Sequence, residues 1–291
     1  GTVNRTGVHR LEVSGKGINV TRVFTQLGKR AVHLTQLGGG AHCELRSLFL
    51  SLCKQDGLSV EWVESESQIR FCYTVIESDG VTELVEESES VAADTEQRLL
   101  ERFDTLLGGE SFSCLIISGT KAAGFSDTVI PLMVQKAKEK GLRVILDIKG
   151  KDLIESLSHK PDIIKPNLFE FAATFAPELV RDNEFVIGNS PQAMLAATER
   201  IKSIALDICK KFETRIILTD GSRKIRVFDG DNFFELDIPP VKAVNTTGCG
   251  DAFTAGLASA LEDGKNFREA IAEGIRCGGL NAGLMKPGVI M

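Results

Sequence analysis

Residues 245–253 read NTTGCGDAF and run directly into TAGLASAL. Phe253, Leu257 and Leu261 recur at helical spacing, so the small residues stand at the entrance to a helix. A helix start offers unpaired backbone N–H groups and the positive end of the dipole, a combination suited to phosphate. Gly248 and Gly250 let the backbone come close to an anion and take dihedrals closed to other residues. Asp251 falls in the first turn. On spacing alone it is either a helix-start acid stabilised by the dipole or a carboxylate placed for catalysis. The stretch as a whole is either a tightly packed helix entrance or an anion cradle. Cys249 reads as a small residue in a tight turn, not as a reactive thiol.

A second glycine-rich helix start is SGKGINVTR, residues 14–22, followed by LGGG at 37–40. Nothing in the chain reads G-x-x-x-x-G-K-[ST], and GKGINV carries Val20 where a dinucleotide fingerprint needs a third small residue. Two such sites imply two anionic groups, or one ligand bridging both.

The elements that must position these loops follow from hydrophobic patterning. SCLIIS (113–118), RVILDI (143–148), DIIKPN (162–167) and RIILTD (215–220) are short apolar runs without alternation, as expected of strands covered on both faces. Helical segments fall between most of them. SDTVIPLMVQKAKEKG offers Ser126 as N-cap and Gly141 as stop, and INVTRVFTQLG puts Val20, Val23, Phe24 and Leu27 on one stripe closed by Gly28. This alternation predicts a doubly wound α/β sheet, whose ligands bind outside the carboxyl ends of the strands. Those ends carry Ser118, Asp147, Lys165 with Asn167, and Thr219 with Asp220. Residues 69–88 instead read as a hairpin around SDG, and the opening VNRTGVHRLEV is extended with polar alternate positions. Together they form either a small separate sheet, a flap over the main domain, or an edge extension of the main sheet.

Composition narrows the function classes. The 291 residues are 43% hydrophobic, enough for one large domain or one domain with a small satellite. A net charge of −6 leaves no global basic footprint for nucleic acid, and no Lys/Arg-rich helix points to a membrane surface. Seven dispersed cysteines without a C-x-x-C pair read as reduced thiols of a cytoplasmic protein. The chain opens on GTVNRTG without a methionine, as a truncated or processed N-terminus would.

With these residues assembled, NTTGCGDAFTAGL resembles the C-terminal signature of the ribokinase-like, PfkB-type carbohydrate kinases. GKGINVTRVFTQLG with LTQLGG resembles their N-terminal signature, and KGIN, IRFCYTV and KPNLFE in this order are similar to the phosphosugar branch of 1-phosphofructokinases and tagatose-6-phosphate kinases. The resemblance implies a three-layer α/β/α kinase domain with a mostly parallel central sheet (residues 14–66 and 91–291) and a β-sheet lid (residues 1–13 and 67–90). The family's early strand lies before the point where this chain starts. It further implies ATP, Mg²⁺ and a sugar-phosphate acceptor, with fructose 1-phosphate phosphorylated at its 6-hydroxyl, or tagatose 6-phosphate in its place. A relative that kept the fold without turnover is the reading from another class. Lid sheets of this family also suggest a homodimer.

By the same resemblance Asp251 is the base, and the N–H groups of Gly248, Cys249 and Gly250 form an anion hole for the migrating phosphoryl group. The dipole is expected to hold Asp251 ionised. Lys16, Asn19, Gly15, Gly39 and Arg70 match acceptor-binding positions, with Asn19 reaching sugar hydroxyls or serving as a plain N-cap. Lys165, Asn167, Thr219, Gly221 and Asn281 match nucleotide-binding positions, Asn281 either against adenine or as a plain surface amide, and Glu170 would organise Mg²⁺ through water. The chain departs from the family pattern at Ser14, at SGTKAAG (118–124), where a proline is missing, and at TDGSRKI (219–225). Cys249 stands where the family usually has alanine.

Overall fold

Strands that are apolar on both faces need helices on both sides. The computed structural model of the chain describes residues 7–39, 43–76, 81–182, 184–186 and 190–291, and it supplies them in a three-layer α/β/α arrangement. The chain begins with α1 (Lys16–Gln26), β1 (Val32–Leu37), α2 (Glu44–Gln55) and β2 (Ser59–Glu64), then forms a hairpin of β3 (Cys72–Ile76) and β4 (Val81–Val85). There follow α3 (Ala93–Gly109), β5 (Cys114–Ser118), α4 (Val129–Glu139), β6 (Arg143–Asp147), α5 (Gly150–Ser156), β7 (Ile163–Ile164) and α6 (Leu168–Phe175). After a short pair, β8 (Val180–Arg181) and β9 (Glu184–Phe185), come α7 (Pro191–Phe212), β10 (Arg215–Leu218), β11 (Ile225–Asp229), β12 (Asn232–Leu236), α8 (Cys249–Glu262) and α9 (Phe267–Ala282).

Six strands lie in the order β12-β11-β10-β7-β6-β5, with β5, β6, β7 and β10 parallel and with β11 paired antiparallel to both β10 and β12. Neighbouring residues of each central strand face opposite layers. Val144, Leu146, Ile164, Ile216 and Leu218 pack with α4, α6 and α7, whereas Ile145, Ile163 and Ile217 pack with α1, α8 and α9. Both clusters are free of charge, so the polar ends of the strands are left at one rim.

The local differences from the sequence reading have physical causes. The run at 162–167 yields only two strand residues, because Pro166 has no N–H to extend the ladder. The helix expected to cap on Ser126 begins at Val129, and Ser126 Oγ instead accepts from Thr128 N at 3.2 Å. Residues 7–15 form no strand. Val13 turns into a small core with Ile18, Cys53 and Leu58, and Arg22 Nη2 holds its carbonyl at 2.5 Å, so this segment is drawn to α1 and away from the hairpin. The hairpin β3–β4 is its own two-stranded sheet, not an extension of the main one; its SDG turn falls outside the described residues. Among the described residues no helix is long and apolar enough to cross a membrane.

Helices α8 and α9 meet closely enough that a Cβ at Gly256 would sit 2.8 Å from both Cys277 Sγ and Glu273 O. Gly256→Val should therefore destabilise the fold by about 1–3 kcal/mol through overpacking. Urea denaturation reads this directly, and an unchanged midpoint would mean that the two helices separate at little cost.

Candidate active site

The rim is organised by a buried ion pair. Lys165, just beyond β7, lies 3.1 Å from Asp147 Oδ2 at the end of β6, and Lys165 is only 2% exposed. Thr254 Oγ1 adds a contact to the same carboxylate oxygen at 3.3 Å and bonds Gly250 O at 3.0 Å, which ties β6 to the first turn of α8. Lys165 Nζ also sits 5.7 Å from the centre of the Phe253 ring. The ammonium expected to line a nucleotide phosphate is here paired with Asp147 beneath the start of α8, where it adds positive potential from below.

Asp251 occupies the first turn of α8 and is 5% exposed. Its Oδ2 accepts from Asn19 Nδ2 at 2.8 Å, a bond between α1 and α8. Burial raises the carboxyl from 3.8 to about 6; the Asn19 bond and the charges of Lys16 and Lys165 pull it back, while Asp147 pushes it further up. The dipole therefore does not keep this acid in the ordinary carboxylate range, because loss of water outweighs it. The group is still mostly ionised at neutral pH and is a stronger base than a solvated aspartate.

Gly248 caps the helix with φ 83°, and a Cβ there would meet Gly288 N at 2.9 Å. Among the described residues the N–H groups of Gly248, Gly250 and Asp251 have no protein acceptor, whereas that of Cys249 turns to Thr246 O at 3.3 Å. Asn281, expected against adenine, is fully buried. Its amide donates to Thr247 O at 2.9 Å and its Oδ1 accepts from Gly288 N at 2.7 Å, so it clamps the glycine loop to the C-terminal segment. Burial leaves no face of this side chain open in the structure. Asn281 Nδ2 also approaches Cys249 Sγ at 3.4 Å, and burial holds the Cys249 thiol above its ordinary value, which suits a packing role.

Asn167 and Glu170 form a reciprocal cap at the start of α6: Asn167 Oδ1 accepts from Glu170 N at 2.7 Å, and Glu170 Oε2 accepts from Asn167 N at 3.1 Å. Glu170 Oε1 then faces Lys149 Nζ at 3.6 Å and Lys16 Nζ at 3.8 Å. Burial alone would lower Lys16, but Asp147, Glu170 and Asp251 together hold its ammonium above the ordinary value. Thr219 pairs with Asn167 across the strand ends, and Gly221, with φ 58°, follows in an exposed turn. Asn167, Thr219 and Gly221 therefore share one open stretch of rim beside the lysines.

On the other side, Gly15 caps α1 at φ 130° with open space where a side chain would project. Asn19 is neither an N-cap nor exposed to a sugar; it lies inside α1 with both ends of its amide engaged. Gly39 has φ 105°, and a Cβ there would lie 2.1 Å from Cys43 Sγ. Arg70 is exposed at the base of the hairpin, where it donates to Glu86 O at 3.3 Å, and the structure does not join it to the Lys16 cluster. The hairpin nonetheless reaches the glycine loop, since Thr247 Oγ1 donates to Glu83 Oε1 at 2.9 Å.

Among the described residues no three His, Cys, Asp or Glu side chains gather as a metal cage. Glu170, whose Oε1 lies beside Lys149 and Lys16 and whose Oε2 serves the cap, fits a Mg²⁺ held chiefly by phosphates and water, the way this ion is commonly bound. Sequence reasoning gave no role to Asp147, Lys149, Arg22 or Glu83. Asp147 was visible as a polar strand end, and Arg22 as a cation three residues past Asn19 on one helix face. Lys149 and Glu83 carried no local signal.

The pfkB family carbohydrate kinase profile matches residues 2–288. Phosphofructokinase-2 from Escherichia coli in complex with fructose-6-phosphate superposes with a TM-score of 0.76 at 23% identity, covering 93% of this chain and 82% of that one. The tetrameric inhibited form of the same enzyme gives 0.78 at 23% identity, covering 97% and 88%. A protein described as a possible 1-phosphofructokinase from Thermotoga maritima gives 0.77 at 17% identity, covering 98% and 86%. Likeness at this identity establishes a common fold.

Because the folded-state value of Asp251 is raised, its ionisation opposes folding in full above about pH 6, and the penalty fades as pH falls toward 3.8. Asp251→Asn should thus stabilise the protein by about 1–3 kcal/mol at pH 8 and by almost nothing near pH 4. Thermal melts across this range check it; a gain independent of pH would mean that the carboxylate is not the source.

Proposed function

The chain belongs to the pfkB family of carbohydrate kinases, and from that premise we propose that it transfers the terminal phosphoryl group of ATP to the 6-hydroxyl of fructose 1-phosphate. The observation that carries the reading is Asp251, a buried carboxylate of raised basicity standing directly beside unpartnered backbone N–H groups. Phosphoryl transfer needs little covalent chemistry from the protein; it needs an oriented hydroxyl and stabilised charge. With Oδ2 held by Asn19, Asp251 keeps Oδ1 for the acceptor hydroxyl and takes its proton as the new O–P bond forms.

The N–H groups of Gly248 and Gly250 serve as the anion hole, and Cys249 contributes less because its N–H is turned to Thr246. Lys149 supplies positive charge on the side where Asn167, Thr219 and Gly221 receive the nucleotide. Mg²⁺, when bound near Glu170, supplies charge neutralisation of the phosphates. Lys16 and Arg70 hold the acceptor's own phosphate, Arg70 once the hairpin has closed.

Asp251→Asn should lower kcat by at least about 10²-fold with KM little changed, and wild-type kcat should fall as pH drops through about 6, where Asp251 takes up a proton. An ADP-release assay with fructose 1-phosphate, fructose 6-phosphate, tagatose 6-phosphate, ribose and fructose tests activity and acceptor together. A preference for another acceptor would replace fructose 1-phosphate; no turnover with any would favour a binding protein.

We further read the hairpin as a homodimer contact. A two-stranded sheet is marginal alone, and Tyr73, Val75, Leu84 and Val85 are all exposed on it. Leu84→Glu should convert a dimer to a monomer in sedimentation, whereas a wild-type monomer at micromolar concentration would remove the reading.

A further inference from the structure

We propose that Arg22 is a positioning residue: it fixes the Asn19 amide so that the NH₂ end, not the carbonyl, faces Asp251. This rests on Asp251 being the base. The two ends of an asparagine amide are nearly equal in shape, so what lies at one end decides what the other presents. A guanidinium can only donate. Arg22 Nη1 lies 3.1 Å from Asn19 Oδ1, and Ser14 Oγ donates to the same oxygen at 3.3 Å. With Oδ1 so held, Nδ2 is the end left for Asp251 Oδ2, 2.8 Å away. A flipped amide would set NH₂ against the guanidinium and a carbonyl against the carboxylate, so both contacts would become repulsive.

Arg22 is itself held from every side. It is 2% exposed; Nε donates to Asp56 Oδ2 at 2.8 Å, Nη1 to Pro287 O at 2.9 Å and Nη2 to Val13 O at 2.5 Å. Asp56 is shared with Lys286, at 2.8 and 3.0 Å, and Lys286 also meets Glu12 at 2.9 Å. A cation fixed by three chain segments cannot follow the amide if it rotates, so the amide follows the cation. The charged and titratable groups around Asp251 are Lys16 from α1, Asp147 from the end of β6, Lys165 beyond β7 and Cys249 on its own turn. Asn19 is the one among its neighbours that hydrogen-bonds the ionised carboxylate, and such a bond keeps the acid from drifting further upward.

The test is a carboxyl-carbon NMR titration of the full chain with ¹³C-labelled aspartate, Asp251→Asn giving the assignment, together with the pH profile of kcat. Arg22→Lys keeps the charge but loses the fork, and Arg22→Met loses all donors while Lys286 still pairs Asp56. Each should raise the Asp251 midpoint by about one pH unit, the size of one charge-assisted hydrogen bond. Asn19→Ala should raise it equally, and adding an Arg22 substitution to Asn19→Ala should raise it no further. If the Arg22→Lys or Arg22→Met protein melts earlier but keeps the wild-type midpoint, Arg22 only stabilises the fold and the proposal is overturned. Should Arg22→Met fail to fold, Arg22→Lys alone decides. A midpoint that moves while the acid limb of kcat stays put would leave the positioning role standing and remove Asp251 as the base.

Discussion

Asp251 is a carboxylate taken out of water beside backbone N–H groups that have no protein acceptor, and in the proposed reaction those groups receive an anion. Much of the surrounding structure follows from that tension. Burial of an ionised acid is costly unless it is paired and hydrogen-bonded, yet full pairing would leave it useless as a base. The protein holds it between these limits. Asn19 supplies one neutral donor at 2.8 Å, Lys16 and Lys165 supply positive potential, and neither lysine forms a direct ion pair with it. Asp147 takes the direct partner, Lys165, at 3.1 Å and so prevents that ammonium from neutralising Asp251 outright. The result is an acid that titrates near 6, well placed between protonation at low pH and weak basicity.

Sheet topology makes this balance possible. Parallel strands end on one rim, so Asp147, Lys165 and Thr219, far apart in the chain, arrive as neighbours beyond β6, β7 and β10. Each is carried by a strand whose alternate residues are locked into both apolar layers, which leaves the rim residues little freedom of their own. The two glycine-rich starts then come from helices of the same layer, α1 and α8, packed on the same face of the sheet. A bond such as Asn19 to Asp251, spanning 232 positions of sequence, needs nothing beyond that shared layer.

What the sequence makes legible follows from these distances. The apolar strands at 113–118, 143–148 and 215–220 and the helix starts at Gly15 and Gly248 are local patterns, and each stands where its residues place it, while the run at 162–167 is cut short at Pro166. The fates of Asn19, Lys165 and Asn281 were not legible, because exposure of a polar side chain is decided by residues remote from it. Asn281 looked like a terminal surface amide until Thr247 and Gly288 closed on it. Glu170 is a different case: its spacing from Asn167 fits both a reciprocal cap and a ligand, and the structure uses one carboxylate oxygen for the cap while the other faces the lysines. The opening segment, 1–13, lies partly outside the described residues, and over 7–13 it departs from its extended reading for a related reason. Alternating polarity suggested a strand, but Val13 and its carbonyl are claimed by α1 and Arg22.

The choice between a tightly packed helix entrance and an anion cradle at 245–253 turns out to be a false opposition. Gly248 is required by packing, since any Cβ would strike Gly288 N, while its own N–H is left without a protein partner. Gly250 is in a different position. A Cβ there would only touch Lys165 Nζ at 3.7 Å, an ordinary contact, so packing alone would admit alanine. The two glycines thus differ: packing demands the first, whereas the second is free of that demand, and in the proposed reaction it lets the migrating phosphoryl group approach the backbone.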